Sequence, residues 1–171
     1  LYNLAYKIRL IERNDEDLAR SILYDIKHNG DLNDLKARVA QYEKKIAELQ
    51  SKKSLSANGQ KMLDRYKQYS SAIAKQAKKL EDRANEFENK LPDRPDIFAV
   101  DDIDELENID RTLVNSLSQL YDPKSEFYGN KLAVQKVMEI RKDIRDRIAE
   151  LSEKQDTSEV PQNGSESTET G

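Results

Sequence analysis

Residues 43–79 hold ten lysines and arginines against three acids, a net charge of +7. Cations at that density can neutralise phosphates or anionic headgroups. Lys44, Lys45, Lys52, Lys53 and Lys61 form the candidate surface for an anionic partner. Two features weigh against nucleic acid. Most of these cations are Lys, which also serves as an ordinary solvated helix former, and only Tyr66 and Tyr69 lie among them for base stacking. The stretch "KKSLSANGQKM" at 52–62 has the basic character of a phosphate cradle, but no strand pattern precedes it and the G-K-[ST] ending is absent. Ser56 suits a helix cap and Asn58-Gly59 suits a turn, so Ser54 to Gly59 reads as a helix–helix connection.

The acids cluster elsewhere. Residues 92–130 hold ten acids and three bases, and the tail from 152 holds five acids and one base. "DDIDELENID" at 101–110 has carboxylates enough for calcium, but it lacks the glycine an EF-hand loop needs, and its Leu and Ile fall at helical spacing. A capped acidic helix start accounts for it. The acidic 92–110 stretch could also lie along the basic residues as an internal complement, setting orientation more than stability. His28 is the one histidine, close to an expected helix end where a cation is favoured, and no second histidine offers a metal pair. With no Cys, disulfides, thiol catalysis and zinc–thiolate sites are excluded. No Ser-His-Asp or Cys-His set can be assembled, so the chain is expected not to be an enzyme, with no cofactor and no metal. Tyr121, Phe127 and Tyr128 are the candidate partner-contact residues, because aromatics are enriched at interface centres; the structural alternative is that they close the end of a bundle.

These residues must be positioned by helices. Charged residues make up 36% of the chain, there is no Trp, and only three Phe, so apolar side chains can cover helical seams but not fill a layered sheet core. In 1–28, Leu4, Ile8, Ile11, Leu18, Ile22 and Ile26 recur at helical steps, with room for a kink at Asn14–Asp17. Gly30 suits a left-handed helix stop and Asp31 an N-cap. Leu32, Leu35, Val39, Tyr42, Ile46 and Leu49 alternate three- and four-residue steps, the coiled-coil spacing. The same steps run from Leu63 through Tyr66, Ser70, Ile73, Ala77, Leu80, Ala84 and Phe87 to Leu91. "LPDRPD" at 91–96 ends that helix, since each proline disfavours helical backbone in the residue before it. Helices follow at about 102–121 and 131–152.

The expected fold is all-α: an elongated bundle of four to five helices with a long antiparallel coiled-coil hairpin. Its parts are an N-terminal helix (1–30), the hairpin (31–91), a Pro-containing linker (92–100), a C-terminal helix pair (101–153) and a disordered acidic tail (154–171). The chain starts at Leu1 inside a helical pattern, which reads as a fragment or a processed form. No apolar run reaches the roughly 18 residues of a membrane span. Zero Cys fits a reducing cytosol, a virion or a bacterial surface equally. The expected function is a non-enzymatic protein–protein interaction or structural module, with self-association through helical seams as one form. The alternative is a nucleic-acid-associated protein using residues 43–79.

Overall fold

The structure is a computed structural model that describes the backbone of residues 2–169 and the side chains of residues 15–156. The described residues are 81% helical and contain no strand. Six helices follow in order: α1 (Tyr2–Lys27), α2 (Leu32–Gln50), α3 (Ala57–Glu88), α4 (Arg94–Ala99), α5 (Ile103–Tyr121) and α6 (Lys131–Glu169). The chain divides into two compact units, Leu1–Asp82 and Arg83–Gly171, and the division falls inside α3.

In the first unit, Ala19, Ile26, Leu35, Tyr69, Ile73 and Leu80 are buried, with Ile22, Leu23, Val39, Tyr42, Tyr66, Ala72 and Ala77 packed around them. The helices end where side chains offer the backbone other partners. Asn29 Oδ1 accepts from the Asp31 amide at 2.8 Å, and the Asp31 carboxylate caps α2 by accepting from the amides of Asn33 and Asp34. The buried Gln76 side chain donates to the Asn29 carbonyl at 2.8 Å, tying α3 to the α1–α2 turn. Ser56 caps α3 through its Oγ, which accepts from the Gly59 amide at 3.0 Å.

Several sequence expectations are corrected here. α1 runs unbroken through Asn14–Asp17, because charged side chains interrupt an apolar seam without interrupting backbone hydrogen bonds. Leu18 is 59% exposed, and Ala19 takes the buried place in the row that continues to Ile26. Leu4, Ile8 and Ile11 lie outside the described side chains. Gly30 does not adopt the left-handed conformation, since the Asn29 and Asp31 side chains already end α1 and start α2. Asn58 and Gly59 are in the first turn of α3, so the connection is 51–56. The buried residues of α3 are Leu63, Tyr69, Ile73, Gln76, Leu80, Ala84 and Phe87, so Tyr69 and Gln76 are buried where the expected seam had Ser70 and Ala77.

Burial holds the Tyr69 pKa above its ordinary 10.0, with Arg65 opposing the shift and Tyr42 and Tyr66 adding to it. A raised phenol pKa means that the fold favours the neutral form. This contribution to stability is complete below pH 10 and is lost as pH rises through the folded-state value. The urea midpoint is therefore expected to fall above pH 10, and Tyr69→Phe to make that fall shallower. An unchanged slope would remove Tyr69 from the cause.

The second unit surrounds a larger core: Ala84, Phe87, Ile97, Leu106, Leu113, Leu120, Phe127, Ala133, Val137, Ile144 and Leu151. The 92–100 stretch, expected as a linker, contains α4. Asp93 caps it by accepting from the Asp96 amide at 3.2 Å, and Pro95 stands in its first turn, where a missing N–H costs nothing. Ile97 is fully buried, and Phe98 and Val100 pack against the core. Asp102 caps α5, accepting from Asp104, and Asn130, itself buried, caps α6 by accepting from Ala133 at 3.1 Å. Gly129 adopts φ 70°, a conformation that suits glycine, and its amide donates to the Leu120 carbonyl at 2.9 Å to close the α5–α6 turn. Of the expected tail, only 154–156 fall among the described side chains, where they continue α6; its remaining side chains lie outside the description.

Candidate functional site

The residues singled out by chemistry occupy different places. Lys44, Lys45, Lys52, Lys53 and Lys61 are all exposed, around the α2–α3 connection, and none has an ion pair among the described residues. Lys45 is the most constrained of them, its ammonium lying 5.8 Å from the Tyr42 ring centre and 5.3 Å from that of Tyr66. Tyr42 also meets Tyr66 and Tyr69 with centroids 5.8 and 5.5 Å apart. The tyrosines near the lysines thus serve the first unit's packing, and Tyr69 is buried. They offer bases no free stacking platform.

His28 is exposed. Its Nδ1 donates to the Tyr24 carbonyl at 2.9 Å and its ring stacks on Tyr24 at 4.0 Å, a local C-terminal contact of α1. The 101–110 carboxylates divide their roles: Asp102 caps α5, Asp101 accepts from Arg147 at 2.7 Å, and Asp110 binds Arg141 through two hydrogen bonds of 2.8 and 3.2 Å. The hydrogen bonds that Arg141 donates to Asp110 hold its pKa above the ordinary value. The acids of this stretch that form ion pairs meet α6, within their own unit. Among the described residues no three His, Asp or Glu side chains gather to hold a metal, and no helix is long and apolar enough to cross a membrane. A shallow depression lined by Arg94, Pro95 and Phe98 has no group suited to chemistry beyond the Arg94 guanidinium, which lies 5.3 Å from the Phe98 ring centre.

The aromatic trio at the α5–α6 turn separates. Phe127 is buried edge-to-face against Phe87, centroids 5.2 Å apart, so it belongs to the core and cannot meet a partner. Tyr121 and Tyr128 are 67% and 56% exposed. The sequence reading missed two residues that join them: Val114, 44% exposed, and Met138, 47% exposed. These four are the exposed large hydrophobic residues of the second unit among the described residues. On α5, Val114, Leu117 and Tyr121 follow at steps of three and four, on one side of the helix, with Leu117 half-buried. On α6, Val134 and Met138 stand four apart, with Val134 half-buried. The signal was available as apolar residues one position off the core row, but no pattern in a single helix tells a second apolar face from an edge of the first.

No protein-family model, curated protein or solved structure matches this chain.

Proposed function

We propose that this chain is a helical protein–protein interaction module whose contact face is formed by α5 and α6. The observation that carries the reading is the exposed apolar side chains Val114 and Tyr121 on α5 and Met138 on α6, beside half-buried Leu117 and a packed core. No buried side-chain polar atom among the described residues is left without a partner, so these apolar residues are not held outside by a defect in the core. In the first unit, α2 and α3 act as an antiparallel hairpin that carries the basic residues at its connected end. The pairing of Gln76 with Asn29 at one end and of Tyr42 with Tyr66 and Tyr69 nearer the other supports that direction. Cysteines introduced at Leu49 and Leu63 are expected to crosslink within one chain in dilute solution. Crosslinks found only between chains would point to a swapped or parallel oligomer.

The exposed, unpaired lysines favour a second reading, an anionic partner such as nucleic acid at Lys44, Lys45, Lys52, Lys53 and Lys61. The two readings separate in a pull-down from lysate of the source organism, run with and without nuclease. Under the first, partners survive nuclease and are lost from a Val114→Asp, Met138→Asp variant. Partners lost with nuclease and retained by that variant would transfer the function to the hairpin.

A further inference from the structure

The geometry points to the α5–α6 face as a groove for a single short amphipathic helix with acidic flanks, an assignment that rests on the interaction reading above. Asp110 and Arg141 fix the register, because two hydrogen bonds hold them side by side. The Gly129–Leu120 bond closes the turn at the other end, so α5 and α6 run antiparallel. From the ion pair toward the turn, α5 places Val114, Leu117 and Tyr121 on the side where Asp110 stands. α6 places Met138 and Val134 on the side where Arg141 stands. The two rows therefore border one shallow channel. It runs from Asp110 to Tyr121, about 17 Å at 1.5 Å per residue, the length of three turns of a bound helix.

Size and charge select the occupant. Three exposed apolar side chains, Val114, Tyr121 and Met138, with half-buried Leu117 and Val134 between them, form a small patch, no larger than the roughly 300–600 Å² of the largest patch on an ordinary monomer. That is smaller than the ~800 Å² each partner buries in a standard dimer interface, which argues for a short helix over a second copy of the chain. A cation stands beside each row: Arg111 next to α5's and Lys142 next to α6's, both exposed and without an ion pair among the described residues. Glu107 and Arg145, of opposite sign, bound the far end one turn beyond the ion pair. A helix laid in the channel would bring acids at both edges of its apolar face against Arg111 and Lys142, the helix-in-groove mode with charge setting the choice of partner.

The chain's two methionines make a direct test, since Met138 borders the channel and Met62 lies in the first unit. The probe is a synthetic 15-residue helix with leucines on one face and glutamates at its edges. The full chain carries 13C-methyl methionine and is followed by NMR. Titration is expected to shift the Met138 methyl saturably and to leave Met62 in place. Arg111→Glu with Lys142→Glu should weaken the glutamate-edged peptide at least about tenfold and strengthen a lysine-edged one. Replacing the peptide's leucines by serine should abolish binding. No Met138 shift up to about 1 mM peptide would overturn the groove, at an affinity weaker than about −4 kcal/mol. Equal binding of glutamate- and lysine-edged peptides would overturn the acidic partner. A Met138 shift with protein concentration alone, with dimers in sedimentation, would make the occupant a second copy. That result would leave the interaction module standing, whereas failure of the pull-down would remove the module itself.

Discussion

Leu106→Ala is expected to destabilise the second unit by about 3 kcal/mol, within the ~2–5 kcal/mol range for emptying a well-packed leucine site. Leu106 is 0% exposed and shares its core with Ile97, Leu113 and Ile144, all at 0 to 1%. Those side chains project from three helices that hold one another in place, so the hole cannot close by moving a single loop. The matched control is Leu18→Ala. Leu18 is 59% exposed, and the same deletion there should cost less than about 0.5 kcal/mol. Urea midpoints measured for both variants decide the matter. Similar losses for the two would mean that Leu106 is not in a packed core.

Arg147→Ala should cost about 2–3 kcal/mol, more than an ion pair with such exposed acids explains. The Arg147 side chain is 11% exposed. Its Nε donates to the Val100 carbonyl at 3.0 Å, and its two terminal nitrogens reach Glu150 at 3.0 Å and Asp101 at 2.7 Å. Asp101 is 87% exposed in its side chain and Glu150 52%, so water screens both charge pairs. The larger part of the effect is the half-buried Val100 carbonyl, which loses its donor, and the arginine stem, which leaves the core edge. Two companion variants separate these contributions. Asp101→Asn should cost under about 1 kcal/mol. Arg147→Lys should recover little, because one ammonium cannot match three donors fixed in a plane. If Asp101→Asn proves as costly as Arg147→Ala, the ion pair and not the carbonyl is the source.

Local chemistry made much of the fold legible. The helices lie where apolar steps of three and four predicted them, because that spacing records one buried helix side directly. Caps were readable for the same reason: Asp31 and Ser56 need only a short polar side chain and the amides two or three residues on. α4 was hidden because six residues contain too few turns to show a period, and Pro92 and Pro95 read as a stop; here Pro95 stands in the first turn of the helix under the Asp93 cap.

Composition and periodicity alone determined that this chain is helical, that its basic and acidic residues are segregated, and that no thiol chemistry is available to it. Packing between helices decided which apolar residues are hidden. Spacing marks Phe127 and Tyr128 as equals, yet Phe127 is buried against Phe87 and Tyr128 is 56% exposed. Spacing also put Ser70 and Ala77 in the seam, whereas the buried residues there are Tyr69 and Gln76, with Ala77 packed beside them, because the neighbouring helices decide which side of α3 is covered. The apolar side chains of α5 and α6 that share one side needed both helices at once. A residue's exposure depends on what another segment places beside it, and that information is carried by the register of Asp110 with Arg141, not by either helix alone.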